Sequence, residues 1–229
     1  MTTQLSTDSA PATRSYMLDA EHGGIRFAVP LLALAMFALI YIGINSIQTD
    51  QTQDYIGCLA FGLAAVGSVA LTFLADKLLK VIWPSPKRLL ISDVNMTYQD
   101  QRKPDSGVTL RFGERINALT WRFTVKRGSA RVQRGWEMLG VQLTQDETRL
   151  TLYTFMNPKQ AAKVRLYSIF TPLASRAALD KGEIPLREAA AQKRLLSAED
   201  ERWRDGAELE HKHFEEMLDL LTPHMPDWK

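Results

Sequence analysis

Residues 27–47 read FAVPLLALAMFALIYIGINSI and residues 55–75 read YIGCLAFGLAAVGSVALTFLA. Each run is 21 residues long, and neither contains Asp, Glu, Lys, Arg or His. At a rise of ~1.5 Å per residue, a helix of that length covers roughly 30 Å, the thickness of one hydrocarbon core. A helix also satisfies its own backbone polar groups, which lipid cannot do. The polar connector Gln48 to Asp54 joins the two runs. The expected structure is a transmembrane helical hairpin.

The bases orient it. The connector carries Asp50 and Asp54 and no Lys or Arg, whereas Lys77, Lys80, Lys87 and Arg88 follow the second run. The positive-inside rule then puts both termini in the cytoplasm and the connector outside, as in a multi-pass protein of a bacterial inner membrane. Tyr55 and Trp83 suit the two interfaces as aromatic anchors. The length of the first run, its flank with only Arg14 and Arg26 as bases, and the second run that follows at once set it apart from a cleaved signal peptide. Cys58, the single cysteine, lies in the second run, so one chain can build neither a disulfide nor a cysteine-rich metal site. Small residues at Gly57, Ala60, Ala64, Gly67 and Ser68 make a helix-packing ridge, either against the first span or against a helix of another subunit.

Outside the hairpin the chain is charged. Residues 1–25, rich in Ser, Thr and Ala, read as a flexible tail, and residues 26–83 as the hairpin. After Pro84-Ser85-Pro86 the period changes to two. Val94, Met96 and Tyr98, then Val108, Leu110 and Phe112, then Leu119, Trp121, Phe123 and Val125 alternate with polar residues, and two more strands fit 136–143 and 149–156. Such short serial strands predict an antiparallel meander curled into a barrel or sandwich over 84–174, giving an α+β soluble domain. Asn157-Pro158 signals a helix start, and Ala162, Leu166, Ile169, Phe170 and Leu173 would form the helical face that closes the sheet. Residues 175–229 read as a helical extension. One helix opens at Pro185, and a second opens at Ser197 with Trp203, Ala207, Phe214, Met217, Leu218 and Leu221 on one face.

This order of elements resembles the bacterial membrane proteins with a pleckstrin-homology-like domain, the YcxB-like group among them. The resemblance covers roughly residues 26–172. It rests on Arg115-Ile116-Asn117-Ala118-Leu119-Thr120-Trp121, similar to that family's central Trp-bearing segment, and on Tyr153-Thr154-Phe155-Met156-Asn157-Pro158, similar to its strand-to-helix junction. The helical extension is additional to the family pattern. The resemblance implies a non-catalytic, membrane-tethered binding domain.

Charge is unevenly spread. Residues 76–134 hold 13 Lys plus Arg against 5 Asp plus Glu, a net of +8, while residues 175–229 hold 9 against 13, a net of −4. Lys126, Arg127, Arg131 and Arg134 fall in one stretch without an acid. A loop there would meet anionic lipid, stay solvated as a strand connection, or be covered by an acidic surface of the tail or a partner. Membrane tethering and the acidic tail disfavour nucleic acid. Glu208 with His211, and Glu210 with His213, have the three-residue spacing of a di-metal half-site, but that site needs carboxylates from further helices, so no metal is expected. No cofactor ligand lies within either span, and neither a nucleophile elbow nor a phosphate-binding glycine loop is present. The sequence thus predicts a membrane-anchored, cytoplasm-facing binding or assembly module that contacts lipid and other membrane-protein subunits. The alternative is an accessory structural subunit of a large respiratory or photosynthetic membrane complex.

Overall fold

The computed structural model describes residues 13–19, 23–46, 53–129, 131–181 and 185–228. They form two compact units, one within Ala20–Ser85 and the other made of the flanking segments up to Asp19 and from Pro86 onward.

The first unit is the hairpin, α1 (Gly23–Ser46) and α2 (Gln53–Ile82). Both helices are long and apolar enough to cross a membrane. The few polar side chains within them bond back to their own helix. Asn45 Nδ2 donates to Tyr41 O (2.9 Å), Ser46 Oγ to Ile42 O (2.8 Å), Ser68 Oγ to Ala65 O (2.9 Å) and Thr72 Oγ1 to Ser68 O (2.6 Å). These bonds remove the cost of bare polar groups in an apolar medium. The small-residue ridge is used inside the hairpin. Ala60, Ala64 and Ser68 are buried, and a Cβ at Gly67 would lie 3.2 Å from Ile40 Cδ1 of α1. Phe37 and Phe61 meet edge to face at 5.4 Å across the same pair of helices. The other faces, including Leu34, Leu39, Val66 and Phe73, are exposed. The connector from residue 47 to 52 lies outside the described residues, as do the side chain of Tyr55 and residues 1–12.

The second unit holds two open sheets. Strands β1 (Arg14–Met17), β2 (Lys87–Ile91), β3 (Asn95–Asp100) and β4 (Val108–Arg111) pair antiparallel in that order. In the second sheet β5 (Asn117–Thr124), β6 (Glu137–Gln145) and β7 (Thr148–Met156) form an antiparallel meander. Two-residue strands β8 (Thr171–Pro172) and β9 (Ala207–Glu208) add in parallel at its edges, against β5 and β7. The expected single curled meander is therefore two sheets, divided at residues 112–116.

Side chains alternate to opposite faces of a strand, and the second sheet is covered on both. Leu139, Val141, Leu143, Leu150 and Leu152 join Leu89, Ile91, Met96 and Leu110 of the first sheet in the main core. The opposite face presents Trp121, Met138, Tyr153 and Phe155 to Leu195 and Ala198 of helix α5 (Leu186–Asp205). Trp121 is fully buried, and its indole lies across β6 where Gly140 lacks a side chain. A Cβ there would sit 2.8 Å from the Cε2 and Cζ2 atoms.

Four expectations are corrected. The tail is not free of structure throughout: Arg14–Met17 is an edge strand registered Arg14↔Ile91 to Met17↔Arg88, and Tyr16 and Leu18 are buried in the main core. Strand β2 was not foreseen, because Lys87-Arg88-Leu89-Leu90-Ile91 lacks clean alternation. The helix at Asn157-Pro158 begins with its capping box, Asn157 Oδ1 accepting from Lys159 N (2.9 Å), but ends at Ala161 as the short α3 (Pro158–Ala161). The chain then turns so that Phe170 enters the core and Thr171–Pro172 pairs with β5, and no long helix closes a barrel. Finally, Ser197 lies inside α5, and the expected last helix breaks at Gly206 into β9 and α6 (His211–Leu221). A Cβ on Gly206 would come within 2.5 Å of Arg202 O. Ala207 consequently enters a sheet, while Phe214, Met217, Leu218 and Leu221 of α6 fill the main core. Residues 175–229, which also include α4 (Arg176–Asp180), are packed into the same unit as the strands.

Candidate functional site

Within the second unit, three charged residues remote in sequence, Asp19, Lys87 and Glu208, form a clasp. Asp19 has φ 47°, an unusual conformation for a non-glycine residue. It holds three segments together. Its N–H donates to Glu208 O (2.8 Å), its Oδ1 accepts from Glu208 N (2.8 Å), and its Oδ2 accepts from Lys87 Nζ (2.8 Å). Burial pulls the Lys87 pKa down, but the hydrogen bond and charge of Asp19 outweigh it, and the pKa stands above its ordinary value of 10.5.

Glu208 carries the cluster onward. One carboxylate oxygen pairs with Arg131, and the other is buried without a hydrogen-bond partner among the described residues. The Arg131 guanidinium lies 5.7 Å from the centre of the Phe155 ring. Next to Glu208 in the sheet register, Tyr153 has its phenol pushed up by burial first, and then by the Glu208 and Asp19 carboxylates.

Near Phe155 stands a buried ion pair. Arg202 grips Glu199 with both arms, Nε to Oε2 at 2.9 Å and Nη2 to Oε1 at 2.7 Å, and Trp121 Nε1 donates to the same Oε2 at 2.9 Å. The Arg202 guanidinium also stacks over Tyr153 (4.6 Å) and lies 5.9 Å from Phe155 and 4.8 Å from Trp203. Both Glu199 oxygens accept hydrogen bonds, and through Trp121 this pair ties α5 to the sheet. A more exposed set, Gln142 Nε2 to Glu201 (2.7 Å) and Arg149 to Glu201 (2.6 Å), repeats the pattern.

The four bases expected to act together divide. Arg131 is half-buried and engaged by Glu208, which anchors the loop. Lys126, Arg127 and Arg134 are exposed, with no ion pair among the described residues. The metal half-sites do not assemble. Glu208 lies in β9, not on the helix of His211, His213 Nδ1 is 4.0 Å from Glu210 Oε2, and the described residues contain no group of three potential metal ligands. Asp19, Lys87, Glu199, Arg202 and Trp203 were missed as a constellation. Asp19 is remote in sequence from Lys87 and Glu208, as Trp121 is from Glu199, and no local spacing signals these pairs; Glu199 and Arg202, three apart on α5, had the spacing of a helical ion pair.

No family model, curated protein or solved structure matches the chain. The resemblance to the YcxB-like group therefore rests on the residues given for it above.

Proposed function

We propose that the chain is a membrane-anchored, cytoplasm-facing binding and assembly module whose basic loop contacts anionic headgroups. The carrying observation is that the clasp ties this loop, through Arg131 and Glu208, to the edge from which both hairpin connections leave. Asp19 precedes α1 by four positions and Lys87 follows α2 by five. A fully extended chain therefore separates either residue from its helix by no more than about 18 Å. The pairing of β1 with β2 supports an even number of crossings, since these strands flank the hairpin and share a sheet. The Lys and Arg that follow α2 favour the cytoplasmic side for that sheet. Near an anionic leaflet each exposed base contributes ~1 kcal/mol, attenuated by salt. The resemblance of two sequence stretches to membrane-tethered pleckstrin-homology-like proteins adds the expectation of binding, not catalysis, by analogy alone.

The test is hydrogen exchange on the full chain in nanodiscs of phosphatidylcholine with and without phosphatidylglycerol. Amides in the segment 126–134 should exchange more slowly when the anionic lipid is present, and high salt should reverse the effect. Equal exchange in both discs would refute the lipid contact and leave a protein partner as the ligand.

A further inference from the structure

Trp203 is the most exposed large apolar side chain of the β unit, 76% accessible at the end of a helix whose neighbouring residues Glu199 and Arg202 are buried. A tryptophan left in water on a well-packed helix is uncommon, and indoles favour the headgroup layer, where the ring body is apolar and the N–H stays wet. Its position is specific. The Arg202 guanidinium lies against both the Trp203 and Phe155 rings, and the Arg131 guanidinium of the basic loop lies against the same Phe155. Five positions beyond Trp203, Glu208 pairs with Arg131 and is clasped by Asp19. A chain of contacts, Trp203 to Arg202 to Phe155 to Arg131, thus links the exposed indole to the loop that also bears Lys126, Arg127 and Arg134.

We infer that Trp203 and these three bases form a single surface for an anionic lipid leaflet, with the indole seated among the headgroups and the bases over their phosphates. The inference rests on the membrane-anchored reading above and adds the residue that enters the bilayer. Apolar insertion and charge attraction reinforce each other, because either alone gives weak, reversible surface binding. A water-soluble protein partner would also cover a tryptophan. The leaflet is favoured by the charge pattern: the linked loop carries three exposed bases with no ion pair among the described residues, and Asp19 and Lys87 of the clasp lie within five positions of the two helices.

The experiment uses the full chain in nanodiscs containing phosphatidylglycerol and lipids brominated near the top of the acyl chain. Tryptophan quenching is compared between the natural protein and Trp203→Phe, so that Trp83, Trp121, Trp136 and Trp228 cancel as a common background. The natural protein should show an increment of quenching that Trp203→Phe lacks. That increment should fall sharply when Lys126, Arg127 and Arg134 are all changed to Gln, with the near-ultraviolet circular dichroism unchanged. An increment of the same size in discs of phosphatidylcholine alone would overturn the joint surface, as would no increment together with full access of aqueous acrylamide to Trp203. Shielding of Trp203 from acrylamide only when other membrane proteins are added would overturn it in favour of a protein partner. If the loop amides are protected but Trp203 is unquenched, the inference fails while the proposed function stands; if neither is affected, both fail.

Discussion

Placing a methyl group on Gly140 should destabilise the β unit only while Trp121 is present. In the structure, a Cβ at residue 140 would lie 2.8 Å from two indole carbons and 3.2 Å from a third. Ordinary carbon–carbon contact is ~3.5 Å or more, so the ring must retreat by roughly 0.7 Å. It has little room to do so, because its N–H is held by Glu199 at 2.9 Å and Met138, Leu195 and Ala198 surround it. Overpacking of this kind costs ~1–3 kcal/mol. Trp121→Leu removes the distal ring atoms and should cost ~3–5 kcal/mol, since it opens a cavity and takes a donor from a buried carboxylate. In that background Gly140→Ala should be neutral or mildly stabilising, giving a coupling of ~1–3 kcal/mol of opposite sign to the single-site cost. The assay is urea unfolding of the full chain in mild detergent, followed by near-ultraviolet circular dichroism on the four proteins of the cycle. If Gly140→Ala is harmless in the natural background, or equally harmful in both, the indole does not occupy the space above β6 and this account of the α5-covered face is wrong.

Asp19→Ala should loosen the clasp by about 1 kcal/mol, a discounted figure because the Lys87 and Asp19 side chains are 30% and 18% exposed. Hydrogen exchange at β1 and β9 should report the loss before global unfolding does, and unchanged exchange at both strands would count against the clasp. Because Lys87 has a raised pKa in the folded protein, its contribution is complete below 10.5 and disappears as pH climbs through the folded value. The natural protein should therefore lose stability above that pH faster than Asp19→Ala does, as thermal melts in the alkaline range would show. For topology, a cysteine introduced at Gln51, outside the described residues, should be labelled from outside the cell in a Cys58→Ser background. One at exposed Ser106 should be spared, and the reverse pattern would place the sheets on the other side.

Several features written locally in the sequence take their expected place, while the helix start at Ser197 and the helical face over 162–173 do not. The charge-free runs, the alternation through Leu119, Trp121 and Phe123, and the cap at Asn157 are each written within one turn or one strand, and each takes its expected place. Strand β1 was illegible because only Tyr16 of its four residues is buried and its partner lies beyond both hairpin helices. The run from Trp203 to Leu221 keeps a helical period across Gly206, where extended backbone angles end the helix and the close approach of Arg202 O leaves no room for a side chain. Arg131 looked equivalent to Lys126, Arg127 and Arg134 because its distinguishing partner, Glu208, is 77 residues away.

The clasp also imposes an order on biosynthesis. Of the three residues Asp19 leaves the ribosome first, Lys87 follows only after both apolar helices, and Glu208 comes later still. Strand β1 must therefore wait, with Tyr16 and Leu18 unburied, while two spans are made and inserted. Contacts this distant in sequence form late because a long loop must close first. A chain stopped before residue 208 can pair β1 with β2 but cannot complete the junction, and it would present an exposed edge strand of the kind that drives misassembly. Closure of the three-segment junction is thus possible only in a chain that has been synthesised past residue 208.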